Sequence, residues 1–508
     1  MKPSHELFHL IKSLTKSEKR FFKLSSALQS GEKNYLKIFD VIDRQTEYDE
    51  QKVKDYFNSE TFIKHFPSEK NHLYKLILKS LRAYHADNSV SSQLKQEIKN
   101  IEILYNKALF KECNKFLMRA KKMAITHEKF YYLFELISWE KLLLEEAFED
   151  GQFTKDLDTL IREEQEVIEK LRNLAAYHVL YSKINYVFRS GGFVRDEENR
   201  ALVQEISDHP LIREKNTALS NRAATICYYT QGFCNLAKGD PETAMAKFNR
   251  IIAILDNQPK IRRDLAKRYA RALAKTTTCL IDLGRFEEAE VRIVDLQNML
   301  SVDGFKRTDI QLNIQKDNTI HRLQICNCTG NFERGLELVE EAISTLDPGE
   351  GKLHKEQELI LFYYIASIYF GAGKHNKALF WINKVLNDNE NTLRQDIYSY
   401  ARLFNLVIHF ELGNYDLLEY ITKSTLRYLA KRQRDYAFEK MVIEVMRKLI
   451  RANRDADRHA VFANFRVRLD EVIQGPEDKV VLKYFNFVKW SESKLEDTTY
   501  AQQLQSAV

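Results

Sequence analysis

Residues 358–390 read ELILFYYIASIYFGAGKHNKALFWINKVLNDNE, and this stretch decides the fold. Between Leu359 and Phe370 apolar side chains cover nearly the whole circumference of a helix, the pattern of a helix packed between neighbours on several sides. Gly371 and Gly373 then offer the positive φ that a helix end and tight turn favour, and residues 374–376 are polar. A second helix follows, with Ala378, Ile382 and Val385 on one face. Ala378 is the position that lets two backbones approach, because a large side chain there would overpack by roughly 1–3 kcal/mol.

Working outward, the chain repeats this design. Residues 222–259, RAATICYYTQGFCNLAKGDPETAMAKFNRIIAILDNQP, place Tyr228, Gly232, Ala244, Phe248 and Ile251 at aromatic, small, small, aromatic and apolar positions. The turn pattern G-[DRNK]-x-x-x-[AGL] recurs from Gly239, Gly284, Gly330, Gly373 and Gly413, at spacings of 45, 46, 43 and 40 residues. On these residues the stretch 220–430 resembles the tetratricopeptide-repeat family, with units longer than that family's period of about 34. The resemblance implies an all-α, right-handed α-solenoid of antiparallel helix pairs. Stacking is expected because one pair cannot bury both of its faces.

Composition agrees with long helices and short connectors. The 508 residues include only 16 Gly and 7 Pro, and no run of β-branched residues alternates with polar ones. Residues 1–90 read as an N-terminal helical module. In it Thr15 and Glu18 form a capping box, Phe21, Leu24 and Leu28 give the apolar face of one helix, and Tyr35, Ile38, Phe39 and Ile42 that of the next. Residues 86–92 are small and polar and read as a linker. Residues 93–220 form long helix pairs of degenerate register: 98–108 with 112–125, then 131–148 with 154–174, then 175–189. Residues 221–430 carry the regular repeats. Residues 431–508 read as three capping helices, Val481, Tyr484, Phe485, Val488 and Trp490 sharing one of them, with a frayed end.

The chemistry implied is that of binding. Neither G-x-S-x-G nor G-x-G-x-x-G occurs, and Gly373-Lys374 lacks the rest of a phosphate loop. The six cysteines have no CxxC spacing, so they read as core thiols, with Cys326 and Cys328 facing different ways. No enzyme, cofactor or metal site is expected. The first ten residues, MKPSHELFHL, have no signal-peptide pattern and no apolar run reaches about 18 residues, so a cytoplasmic protein without a membrane span is expected.

The resemblance implies that the first helix of each pair lines a groove for a partner's peptide or helix. Matching positions here are Tyr229, Phe233, Arg271, Lys275, Tyr363, Phe370 and Tyr400. These aromatics suit either a groove, where rigid rings give contact area at low entropic cost, or the core between repeats. The lysine and asparagine clamp with which some family members hold an acidic C-terminal tail is not reproduced, so that specificity is not implied. A second candidate is basic: Lys260, Arg263, Lys267, Arg271 and Lys275 fall within about 120° of one helix face at 100° per residue. Lys16, Lys19, Arg20 and Lys23 cluster likewise near the front. The net charge is +6, of which residues 1–100 hold 18 Lys and Arg against 13 Asp and Glu. A helical module joined to repeats resembles peptide-sensing transcription regulators, which keeps nucleic acid as an alternative partner beside a protein one.

Overall fold

The computed structural model describes residues 5–27, 34–86, 89–147, 157–191, 194–346, 353–388, 394–475 and 479–506. These are helical throughout, with no strand among the described residues. The chain divides into two compact units, residues 1–167 and 168–508.

The first unit holds α1 (Glu6–Ser13), α2 (Lys16–Ala27), α3 (Asn34–Arg44), α4 (Glu50–Tyr56), α5 (Phe66–Tyr84), α6 (Val90–Asn106), α7 (Phe110–Thr126), α8 (Phe130–Ala147) and the start of α9 (Leu157–Gly191). The capping box forms: the Glu18 amide donates to Thr15 Oγ1 at 3.2 Å and the Thr15 amide to Glu18 Oε2 at 2.7 Å. The apolar face of α2 lies one residue away from the expected one. Phe22 and Ser26 are buried with α3, while Leu24 is 58 % exposed and Leu28 lies outside the described residues. The stripe on α3 is buried as expected. Ser89 caps α6 by accepting from the Ser92 amide at 3.1 Å, so residues 90–92 belong to a helix and not to a linker; 87 and 88 lie outside the described residues. The expected Asp150-Gly151 separator and Gly192 also lie outside them. No helix ends at residue 174: α9 continues through Ala175, since no Gly or Pro interrupts it before Gly191.

The second unit continues α9 and adds α10 (Glu197–Asp208), α11 (Pro210–Arg213), α12 (Asn221–Ala237), α13 (Pro241–Asp256), α14 (Pro259–Asp264), α15 (Ala266–Asp282), α16 (Phe286–Asn298), α17 (Thr308–Thr329) and α18 (Phe332–Leu346). Then come α19 (Lys355–Gly371), α20 (His375–Leu386), α21 (Gln395–Glu411), α22 (Tyr415–Lys431), α23 (Ala437–Arg451), α24 (Asp455–Val472), α25 (Phe487–Leu495) and α26 (Tyr500–Gln505). Helices α12/α13, α15/α16, α17/α18, α19/α20 and α21/α22 are hairpins, and α15, α17, α19, α21 and α23 pack side by side in that order. Successive hairpins pack on one another, so the apolar stripe one pair leaves open is closed by the next.

The turns share one geometry. Gly239, Gly284, Gly330, Gly373 and Gly413 all have φ between +70° and +74°, the left-handed conformation in which an L side chain costs roughly 1–2 kcal/mol. At Gly284, its amide donates to the Ile281 carbonyl and the Arg285 amide to the Leu280 carbonyl, satisfying two orphan carbonyls of the helix end. The same pair of bonds closes α6/α7 at Ala108 (φ +53°), α7/α8 at Glu128 (φ +50°) and α22/α23 at Gln433 (φ +54°). Gly371 is different: it lies inside α19, without positive φ, and its role is room, since a Cβ there would collide with the Phe332 ring. Gly232 likewise faces Phe248, 2.6 Å from where its Cβ would sit. Ala378 is fully buried, as its spacing predicts.

Candidate interaction surface

The five aromatics expected to line a groove are core. Tyr363, Phe370 and Tyr400 are each under 5 % exposed, because residues 480–506 of the same chain lie against them. Tyr484 stacks on Tyr400 with ring centroids 4.1 Å apart and lies 5.9 Å from Tyr363. Phe485 packs at 5.3 Å from Phe370, and Tyr500 at 5.8 Å. Polar contacts hold the segment along its length: Lys483 to Asp282 at 2.6 Å, Trp490 Nε1 to Glu411 at 2.7 Å, Lys494 to Glu411 at 2.8 Å, and Gln505 Nε2 to the Gly330 carbonyl at 3.0 Å. The expected single helix through residues 481–490 is therefore a 3-10 turn, Val480–Lys483, followed by α25. The expected frayed end is docked: Gln503 and Leu504 are buried. Beneath it Tyr484 donates to Asp396, which Arg394 grips at 2.7 Å. On the other side of Tyr400, Arg195 donates to its hydroxyl at 2.8 Å and pairs with Glu439. Burial pushes the Glu439 carboxyl up, and Arg195 opposes that shift.

Tyr229 and Phe233 are buried too, against Phe248, Tyr181 and Phe188. The core reading of the rings thus holds at all five positions. Two site residues remain open to solvent: Arg271 is exposed and Lys275 half-buried. They do not share one helix with the whole predicted stripe. Leu265 separates α14 from α15, Arg263 pairs with Asp303 at 3.0 Å, and Lys267 pairs with Asp309 at 3.3 Å. Lys260 is exposed on α14. Pro259 starts a short helix of its own, which spoils a phase counted from Lys260.

The residue that joins Arg271 and Lys275 is Arg268, which the sequence reading passed over. Its guanidinium donates to Thr225 Oγ1 at 2.8 Å and to the Arg222 carbonyl at 3.3 Å, both on α12. Positions 268, 271 and 275 are i, i+3 and i+7 on α15, within about 60° of one face. None of the three makes an ion pair among the described residues. Burial lowers the pKa of Arg268, and Arg271 lowers it further. Burial lowers Lys275 as well; Asp317 opposes that, while Arg394 and Lys316 add to it, and its Nζ lies 5.3 Å over the Phe233 ring. Asp317 is itself paired with Lys316 at 2.6 Å. On α17, His321 is pushed down to about 4 by burial, with Lys275 and Lys316 contributing. Cys328, one helical face along, is exposed although five of the six cysteines are buried, yet surrounding protein still pushes its thiol up to about 11. Val291, Val294, Phe380 and Tyr420 are exposed on α16, α20 and α22.

Clefts of about 440 and 620 Å3 flank α10, and Arg200 lines both. Arg195, in the wall of the smaller one, is already paired with Glu439.

In the first unit two of the four cations of the basic cluster on α2 are paired with acids. Lys19 pairs with Asp43 at 2.5 Å and Lys23 with Asp40 at 2.6 Å, leaving Lys16 and Arg20 exposed. No helix among the described residues is long and apolar enough to cross a membrane.

No protein-family model matches the chain, and no curated protein matches it.

Proposed function

We propose that this chain is a non-catalytic protein-interaction module of tetratricopeptide-repeat kind, a right-handed α-solenoid working in the cytoplasm. It holds a segment of a protein partner against the inner side of α12, α15 and α17. One observation carries this reading. The side of α19 and α21 that carries Tyr363, Phe370 and Tyr400 is covered by residues 480–506, whereas on α15 Arg271 is exposed and Lys275 half-open, and neither makes an ion pair among the described residues. Unneutralised cations on a desolvated surface are unfavourable unless something completes them, so a surface that keeps them is suited to a ligand. The left-handed turns that recur at 239, 284, 330, 373 and 413 support the repeat assignment. Pairing of Lys19 and Lys23 with acids weighs against a nucleic-acid surface on the N-terminal module.

A photo-crosslinking residue in place of Arg271, compared with one in place of the outer Val291, tests the reading in native lysate. Protein adducts at 271 and not at 291 are expected. Adducts at 291 alone, or at neither, would overturn it.

A further inference from the structure

The face built by Arg268, Arg271 and Lys275 narrows the ligand, on the reading just proposed that α15 meets the partner. We infer that it binds an acidic segment in extended conformation, internal to the partner's chain, through two or three carboxylates. The geometry argues for several charges in a row rather than one. Residues 268 and 275 are seven apart on α15, a rise of about 10 Å at 1.5 Å per residue. A single phosphate is smaller than that span and would leave one end of the row uncompensated. An extended peptide presents same-side carboxylates about 6.7 Å apart, near the roughly 4.5 and 6 Å intervals between these cations. The long side chains of Arg and Glu close the difference.

Charge balance points the same way. Several partly buried cations of this unit have acids: Arg222 has Asp264, Arg394 has Asp396, and Arg195 has Glu439, whereas Arg402 lies over the Tyr428 ring. Of the three cations on α15, Lys275 lies in the field of Asp317, and Lys316 already holds that carboxylate. Two of the three are guanidiniums, which bind carboxylates bidentately, and Arg268 is oriented in advance by its bonds to α12. Nothing in the arrangement calls for a terminal carboxylate, because its three groups are spread along the row rather than gathered at one end.

The test uses the full chain and a fluorescein-labelled hexaglutamate peptide with amidated C-terminus, beside a hexaglutamine control, inorganic phosphate and tripolyphosphate as competitors. Anisotropy should show binding of hexaglutamate alone, weakened at least about tenfold by Arg271→Glu with Lys275→Glu, and unchanged by Lys260→Glu, which alters the same kind of charge elsewhere. Equal weakening by Lys260→Glu would mean unspecific attraction and overturn the inference. Displacement by inorganic phosphate at concentrations where hexaglutamate itself binds would overturn it too, in favour of a phosphate site. Failure here with crosslinked partners at residue 271 would reject only the acidic ligand; failure of both rejects the surface.

Discussion

Tyr484 lies flat on Tyr400, ring centroids 4.1 Å apart and planes 17° from parallel, and so covers from the same chain a ring whose spacing had suited a groove as well as a core. Tyr484→Ala removes this stack, its edge contact with Tyr363 and the hydroxyl bond to Asp396. A loss of about 3–5 kcal/mol is expected, from the cavity and from a buried carboxylate left short of a donor. Urea unfolding followed by Trp381 and Trp490 emission in a Trp139→Phe background reads it. A change under about 1 kcal/mol would show that the segment is a loose cover.

Small residues at the crossings carry the stacking. Ala378→Trp should lower the melting temperature clearly, since the site has no free surface. Gly371→Ala should do so as well, because the Phe332 ring occupies the place of the new methyl group. Neutral behaviour in both would contradict the packing of α19 against α18 and α20.

The turns separate backbone cost from crowding. A Cβ at Gly284 meets no atom within 4 Å, so Gly284→Ala should cost about 1–2 kcal/mol from its φ of +72° alone. Ala108→Gly relieves the corresponding strain at φ +53° and should raise the stability of the first unit by a few tenths to about 1 kcal/mol. Opposite signs in calorimetry are the expected result.

His321 makes the second unit sensitive to acid. Its Nε2 meets Thr278 Oγ1 at 3.1 Å, its Nδ1 has no partner, and its pKa sits near 4 against 6.5 in the unfolded chain. Between those values the unfolded chain binds more protons, so stability falls as pH drops from 6.5 towards 4 and levels off below. From pH 7 to 5 this amounts to roughly 2 kcal/mol. His321→Gln should flatten that part of the urea-stability profile, and an unaltered slope would assign it to other groups.

The N-terminal module gives a negative expectation. With Lys19 and Lys23 paired, the native protein should pass a double-stranded DNA matrix unretained at low salt. Salt-sensitive retention lost on Lys16→Glu with Arg20→Glu would restore the nucleic-acid alternative.

Much of the fold was legible because its causes are local. A glycine in left-handed conformation marks each hairpin between 239 and 418, with a small residue five positions on in the first four and Leu418 in the fifth, and both show in the sequence as residue types. Register before residue 220 was not legible for the same reason: the equivalent turns hold Ala108 and Glu128, whose φ the sequence does not announce. The α2 face was misplaced by one residue, since Phe21, Phe22 and Leu24 all fit an apolar stripe and α3 and α5 choose among them.

The candidate site was legible in part. Arg271 and Lys275 came from helical spacing, but Arg268 needed the knowledge that α15 begins at Ala266 and not at Pro259. Helix content, hairpin boundaries and core faces from 221 to 430 were determined by the sequence itself, since they rest on propensity and period within about 40 residues. Which inner face is open was decided only by tertiary structure. Covering Tyr363, Phe370 and Tyr400 takes residues about 100 positions away, and no local period encodes a contact between α19 or α21 and the segment that ends the chain.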